Sequence, residues 1–116
     1  MAAGTYHIIC EQGATFTREL TWSDENDQPI NLTGYTARMQ VRQSVKSTAV
    51  VLELTTTNGR VVLYPASGKI VLSLTATETA ALPAKSCVYD LELVSAGGVV
   101  TRLVEGSFTV RPEVTR

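Results

Sequence analysis

Hydrophobic and polar residues alternate with a period of two over most of this chain, which is the pattern of half-buried β-strands. The clearest example is CVYDLELVSAGGVVTRLVEGSFTVR, residues 87–111. It predicts a hairpin that turns at Ala96-Gly97-Gly98, with a bulge or bend at Gly106. Further strands are predicted by the same alternation elsewhere. The candidate strands are Thr5–Cys10, Phe16–Trp22, Tyr35–Gln43, Val50–Thr55, Val61–Tyr64, Ile70–Leu74, Cys87–Val94, Val99–Val104 and Ser107–Arg111.

Turn-forming residues between these strands predict how they connect. The polar run Ser23–Pro29 is a turn by composition, since Asp and Asn tolerate left-handed geometry and proline stops a strand ladder. Asn58-Gly59 is the strongest short hairpin signal, because both residues accept a positive φ. It predicts that the strands on either side of it form a hairpin. Ser67-Gly68 predicts another turn.

One segment departs from the alternation. In TATETAALPA, residues 75–84, Thr75 stands three residues before Glu78, which is the spacing of a capping box, and Pro83 follows. This predicts one short helical turn over residues 75–82 that closes an open end of the sheets. About eight short strands with almost no helix indicate an all-β fold, an antiparallel β-sandwich of the Ig-like or jelly-roll-like type.

Length and composition predict a single β-sandwich domain, 1–116, with an N-terminal arm (1–9) and a C-terminal arm (112–116). A chain of 116 residues can bury roughly 65% of its unfolded surface. The net charge of −1 provides no attraction for phosphate backbones or anionic bilayers, and no run approaches ~18 apolar residues. No signal peptide is predicted at the N-terminus. We therefore expect synthesis in a cytoplasm, with neither nucleic acid nor a membrane as partner.

Residues able to carry out chemistry are few and dispersed. His7 is the only histidine, and no serine or cysteine motif surrounds it, so a catalytic role is not predicted. Cys10 and Cys87 match no metal or redox spacing and are predicted to be buried free thiols, with a cross-sheet disulfide as the alternative. The sequence thus predicts no enzyme, no metal site and no cofactor.

Charged residues are predicted to have structural roles. Asp90 and Glu92 share one strand face, and Arg38 and Arg42 share another, so cross-strand ion pairs are expected. The alternative is acid–base catalysis by the two carboxylates. The acidic turn at residues 24–27 lacks the glycine and glutamate spacing of an EF-hand loop. A solvated turn is predicted there, with a weak calcium site as the alternative.

A β-domain without a reactive site is expected to act through its surface. Both chain ends, TYHII and TVRPEVTR, are β-prone or proline-stiffened, and such arms can add a strand to a neighbour's sheet. Exposed strand faces contain threonine and arginine but little lysine, which commonly protects sheet edges; alternatively, these strands are internal to the sheet. The residues predicted to make assembly contacts are Tyr6, His7, Ile8, Arg111, Pro112, Glu113, Val114 and Arg116.

Four segments together resemble structural proteins of tailed bacteriophages. They are PINLTGYTARMQVR, LTTTNGRVVL, GKIVLSLTATETAALPA and VYDLELVSAGGVVTRLVEGSFTVRPEVTR. The first is similar to the N-terminal β-sandwich of siphophage upper-baseplate proteins, and the last is similar to the endings of many short phage virion or tail proteins. The resemblance covers residues 16–116 and is carried by structural motifs, so no catalytic residues can be transferred with it.

The resemblance implies a non-enzymatic virion protein, made in the bacterial host cytoplasm, of the tail, baseplate or fibre attachment. Its implied partners are other virion proteins, and it is expected to be a homo-oligomer in the assembled particle. One alternative is a capsid decoration (cement) protein, which differs mainly in copy number. A second alternative is a carbohydrate-binding module, which requires clustered exposed aromatic side chains.

Overall fold

The computed structural model describes residues 4–115 and shows nine strands in two sheets, one short α-helix and one 3-10 turn. The predicted all-β sandwich is confirmed. The helix α1 spans Ala76–Ala80, and the 3-10 turn spans Pro65–Ser67. The strands are β1 (Gly4–Thr5), β2 (Ile8–Glu11), β3 (Phe16–Thr21), β4 (Thr36–Arg42), β5 (Leu52–Thr55), β6 (Val61–Tyr64), β7 (Lys69–Leu74), β8 (Ser86–Val94) and β9 (Val100–Arg111).

The larger sheet has the strand order β1-β9-β8-β4-β5, with β2 also paired to β9, and the smaller sheet has the order β3-β7-β6. The sandwich is not antiparallel throughout, contrary to the prediction. Strands β1 and β2 run parallel to β9, with Ile8 opposite Phe108 and Glu11 opposite Arg111. The alternation of apolar residues cannot reveal strand direction, because its period of two is the same in both directions.

The core lies between the two sheets and is filled by the inward-facing residues of the alternating segments. Phe108 on β9 is at its centre, with ring centroids 6.0 Å from Phe16 of the smaller sheet and 6.4 Å from Tyr89 of the larger sheet. Leu32, which lies outside every strand, is also buried. The largest fully buried side chains are Phe108, Ile8, Leu32, Met39, Leu54, Ile70, Leu72, Leu74, Leu91, Leu93, Val41 and Val61.

The hairpin predicted at Asn58-Gly59 is wrong. Strand β5 pairs with β4 in the larger sheet and β6 pairs with β7 in the smaller sheet, so this turn carries the chain between sheets. The side-chain oxygen of Asn58 accepts hydrogen bonds from the amides of Thr55 and Arg60, each at 3.0 Å. Turn residues determine local backbone geometry, whereas strand pairing depends on where each apolar face is buried.

The other two glycine turns join neighbouring strands as predicted. Gly68, with φ of 62°, ends the 3-10 turn between β6 and β7. The turn at residues 95–99 connects β8 to β9 and is closed by hydrogen bonds between Ser95 and Val99. Both pairs of strands are antiparallel hairpins.

The bulge predicted at Gly106 lies elsewhere. Gly106 pairs regularly with β8, and the register shift occurs between Leu91 and Glu92, which face Val104 and Arg102. One residue of β9 is therefore extra at this point, which is the definition of a β-bulge. Glycine at position 106 is required for a different reason, the close approach of the N-terminal segment described below.

The predicted capping box starts the helix. The Thr75 hydroxyl accepts from the amide of Glu78 at 3.1 Å, and the Glu78 carboxylate accepts from the amide of Thr75 at 2.8 Å. Glu78 also accepts from the guanidinium of Arg60 at 2.6 Å. The bond from the Thr75 amide, followed by that from Arg60, lowers the pKa of the Glu78 carboxyl.

The helix is also attached to the turn between β2 and β3. Thr79 is fully buried, and its hydroxyl accepts from the amide of Gly13 at 3.0 Å and donates to the carbonyl of Ala14 at 2.9 Å. A buried hydroxyl with partners for both its donor and its acceptor has its desolvation penalty offset by those hydrogen bonds. These bonds hold α1 against the turn that joins the two sheets.

We expect Thr75→Ala to lower the free energy of unfolding by about 1 kcal/mol, because the amide of Glu78 loses its acceptor. Urea denaturation followed by circular dichroism measures the change. Thr77→Ala is the matched control, since Thr77 is exposed in the same helical turn and its replacement should change stability by less than ~0.5 kcal/mol. Equal effects of the two substitutions would contradict the capping role.

Both cysteines are buried free thiols, as predicted. Cys10 lies on β2 and Cys87 on β8, and both side chains face the core. Burial raises the pKa of each thiol, which disfavours the reactive thiolate. The two residues therefore act as small apolar side chains in this structure.

Candidate functional site

The N-terminal segment, residues 4–11, lies along the outer edge of β9. The amide of Tyr6 donates to the carbonyl of Glu105 at 2.9 Å, and the hydroxyl of Tyr89 donates to the carbonyl of Tyr6 at 2.5 Å. Burial, followed by the proximity of Tyr6, raises the pKa of the Tyr89 phenol, which keeps the hydroxyl protonated as a donor. The segment is therefore anchored between β1 and β2 by a partly buried hydrogen bond.

His7 and Ile8 are also bound within the chain. The His7 Nδ1 atom accepts from the amide of Ser107 at 3.1 Å and lies 2.9 Å from its hydroxyl oxygen. Ile8 is only 1% exposed, so its side chain packs in the core, and its part in an assembly contact stays a prediction. Over its described residues, the predicted arm 1–9 is part of the sheet, because alternation buries every second side chain against the core.

Gly106 makes the close approach of this segment to β9 possible. A Cβ atom at this position would collide with the carbonyl oxygen of Tyr6 and would lie 3.1 Å from Nδ1 of His7. Only glycine lets the two backbones come this close. The sequence showed the glycine but not the partner strand that requires it.

The start of the C-terminal segment is held beside β2. A guanidinium nitrogen of Arg111 lies 3.3 Å from a carboxylate oxygen of Glu11, on adjacent parallel strands. The amide of Glu113 donates to the side-chain oxygen of Gln12 at 3.1 Å. The structure thus brings Arg111 and Glu113 close to the end of the N-terminal segment.

The remaining predicted contact residues lie at the end of the chain, and two of them are exposed. Pro112 and Val114 are exposed, and Val114 is 94% exposed. Arg116 lies outside the described residues. The role of all these residues in assembly stays a prediction, with Val114 the one that would gain most buried apolar area from a neighbour.

The sheet edges differ in how far their backbone groups are already occupied. At β5, the carbonyl of Glu53 accepts from the side chains of Asn58 and Arg60, at 3.0 and 2.9 Å. At β2, the carbonyl of Ile9 accepts from the guanidinium of Arg18 at 2.8 Å. These side chains occupy groups that an added strand would bind, which is a common protection of sheet edges.

The smaller sheet has one polar edge and one apolar edge. Strand β3 exposes Thr17, Glu19 and Thr21, and a charge on an edge strand disfavours further pairing. Strand β6, with the sequence VVLY, has no charged residue. Within residues 4–115, no hydrogen bond from outside β7 reaches the backbone groups of Val61 or Leu63. Sequence reasoning missed this surface, although four uncharged residues in a row, three of them β-formers, were its signal.

Charged side chains on the outer face of the larger sheet pair with one another. The guanidinium of Arg38 donates to the carboxylate of Glu92 at 2.8 Å, which confirms the predicted cross-strand pairing. A carboxylate oxygen of Asp90 lies 3.5 Å from Nε of Arg102. Among the described residues, Arg42 forms no such ion pair and donates instead to the side-chain oxygen of Gln40 and the carbonyl of Ser47. Burial, then the charge of Glu92, raises the pKa of Asp90.

The alternatives involving metal or sugar gain no support in the described part of the chain. The carboxylate of Asp24 accepts from the amides of Asn26 and Gln28, at 2.9 and 3.0 Å, so it closes its own turn. No group of three His, Cys, Asp or Glu side chains able to hold a metal ion occurs in residues 4–115. The ring of Trp22 packs edge-on against the ring of Tyr35, with their centroids 5.9 Å apart.

No helix among the described residues is long and apolar enough to span a membrane.

No protein-family model matches the chain, and no curated protein matches it in sequence. Among solved structures, it is similar to the N-terminal domain of phage TP901-1 ORF48, with a TM-score of 0.51 and 14% identity over 91% of this chain and 85% of that one. It is also similar to CopC from Methylosinus trichosporium OB3b, with a TM-score of 0.48 and 14% identity over 100% and 90% of the two chains.

The first likeness covers almost the whole of both chains, so the entire sandwich is compared and not one shared hairpin. It shows a common fold, because identity of 14% carries no residue-level relationship. The likeness to CopC is weaker and carries no functional argument. The fold of this chain is thus one that a bacteriophage protein domain also adopts.

Proposed function

We propose that this chain is a structural component of a bacteriophage virion that binds other virion proteins at the tail, the baseplate or a fibre attachment point. The observation that carries the proposal is the fold shared with a phage protein domain over 91% of the chain. The resemblance of its strand and turn motifs to phage tail proteins, seen in the sequence, supports the same class.

The described surface fits a role in assembly. Several of its charged side chains form ion pairs with one another, such as Arg38 with Glu92, and its only histidine is bound to Ser107. By contrast, it offers an apolar edge on β6 and an exposed Val114, features that a neighbouring protein can cover. We therefore propose a non-enzymatic role without a cofactor.

We expect the chain in purified virions of the phage that encodes it, at a handful to a few dozen copies per particle. Mass spectrometry of the particles and quantitative gel densitometry measure its presence and copy number. A tail or baseplate position requires the low copy number of a symmetric ring. Hundreds of copies would instead indicate the capsid decoration role, and absence from the particles would contradict the proposed function.

A further inference from the structure

Strand β6 has an open edge, formed by the outward-facing backbone groups of Val61 and Leu63. The amide of Ser73 on β7 donates to the carbonyl of Arg60 at 2.9 Å, so these two opposite residues form a hydrogen-bonded pair. Such pairs alternate along antiparallel strands. The N–H and C=O groups of Val61 and Leu63 therefore point away from β7 and toward any added strand.

The side chains at the open edge are apolar. Val62 and Tyr64 lie on the outer face of the smaller sheet and are 42% and 49% exposed. The strand contains no lysine, no proline and no bulge, the devices that prevent edge-to-edge pairing. It therefore differs from β2 and β5, each of which has a backbone carbonyl occupied by a side chain, and from β3, which exposes Glu19.

We infer that the open edge binds the same edge of a second copy of this chain, in an antiparallel pair around a twofold axis at Val62. The second copy would be one partner in the proposed assembly function. The pairing itself does not depend on that function; only its role in a virion does. Val61 comes opposite Leu63 of the second copy and Leu63 opposite its Val61. Both copies use the same surface, as in an isologous dimer.

Only one register lets the outward-facing N–H and C=O groups of both Val61 and Leu63 bond to the second copy. With the axis at Val62, Val61 and Leu63 form two hydrogen-bonded pairs with the second copy. Moving the axis by one residue to Leu63 would place Val61 opposite Pro65, which has no N–H to donate. Moving it to Val61 would place Leu63 opposite Gly59, beyond the end of β6.

The chosen register is complementary in side chains as well as in hydrogen bonds. Val62 stands opposite Val62 of the second copy, and Tyr64, whose ring has Lys69 Nζ 5.4 Å from its centroid, stands opposite Arg60. No unpaired like charges face each other there, because Arg60 is paired with Glu78 and Lys69 with Glu19. A second copy therefore fits the edge without electrostatic repulsion.

The contact is small, which sets its expected strength. The five residues per chain in this register, Arg60 to Tyr64, cover far less than the ~1,200 Å² buried in specific, stable complexes. We expect a dissociation constant of about 0.1–1 mM for the isolated chain. A particle that holds several copies close together raises their effective concentration and makes such a contact sufficient.

Sedimentation velocity of the full chain up to about 1 mM tests the inference. Val62→Lys adds a charge beside the axis in both copies and should weaken association at least tenfold. Thr17→Lys is the matched control, since Thr17 is exposed on the outer face of the same sheet at its opposite edge. It adds the same charge and should leave association unchanged.

Backbone amide resonances report the register directly. As concentration rises, the amides of Val61 and Leu63 should shift and gain protection from hydrogen exchange, whereas those of Val62 and Tyr64, already bonded to β7, should change little. A circular dichroism spectrum matching the original chain shows that Val62→Lys has folded. This control separates loss of association from loss of structure.

Three outcomes would overturn the inference: a chain that stays monomeric to 1 mM, equal association of Val62→Lys, or concentration-dependent shifts confined to another surface. The first would leave the open edge to a strand of another protein. Normal self-association with absence from virions would refute only the proposed function. Presence in virions with a monomeric chain would refute only the pairing of β6.

Discussion

Replacing Phe108 by alanine is expected to lower the free energy of unfolding by about 3–5 kcal/mol. Phe108 has no exposed surface and stands between Ile8 on β2 and Cys87 on β8. Its ring also contacts Phe16 of the smaller sheet and Tyr89 of the larger one. Truncation removes apolar burial and leaves a cavity where the sheets meet, which the rigid strands around it can fill only in part.

Urea denaturation followed by the fluorescence of Trp22 measures this change. Phe108→Leu keeps most of the apolar volume and should cost less than about 1.5 kcal/mol. The difference between the two variants isolates the cavity from the loss of the aromatic contacts. A loss below about 1 kcal/mol for Phe108→Ala would show that this position is not the centre of the core.

Gly106→Ala is expected to lower the free energy of unfolding by about 2–3 kcal/mol and to displace the N-terminal segment from β9. The added methyl group collides with the carbonyl of Tyr6, which is backbone and cannot move away as a flexible side chain could. Relief requires the segment to shift outward, which breaks the bond from Tyr89 to Tyr6 and uncovers part of the core.

Gly97→Ala is the matched control, because the nearest atom to the new methyl group is 3.9 Å away in the turn of the same hairpin. It should change stability by less than ~0.5 kcal/mol. Thiol labelling gives a second measurement: in Gly106→Ala, Cys10 on the displaced β2 should react faster, while Cys87 stays protected. Unchanged stability together with an unreactive Cys10 would contradict the displacement.

The N-terminal segment bears on assembly as well as on stability. Strand β9 binds the N-terminal segment of its own chain, so its edge cannot at the same time accept a strand from a neighbour. The protected edges at β2 and β5 leave β6 as the apolar edge with unoccupied backbone groups in the described part of the chain. Assembly contacts are therefore expected at β6 and at the C-terminal segment.

Local chemistry and the hairpin of β8 and β9 were predicted from the sequence, whereas the pairing around Asn58 and at the N-terminal segment was not. The capping box at Thr75 and Glu78 depends on two residues three positions apart, so its spacing is visible in the sequence. The turn at Asn58 was equally visible, yet it joins two sheets instead of closing a hairpin. The uncharged run of β6 is visible in the sequence, but the openness of its edge is not, because it depends on which strands find partners elsewhere.

The two-layer β structure follows from the alternation of apolar and polar residues alone, because a period of two places every second side chain in a core. The folded chain, by contrast, is needed to see which distant strands pair, in which direction, and which edges remain unoccupied. These properties depend on contacts between residues far apart in the chain, such as Tyr6 with Tyr89 and Ile8 with Phe108. No local pattern encodes such contacts.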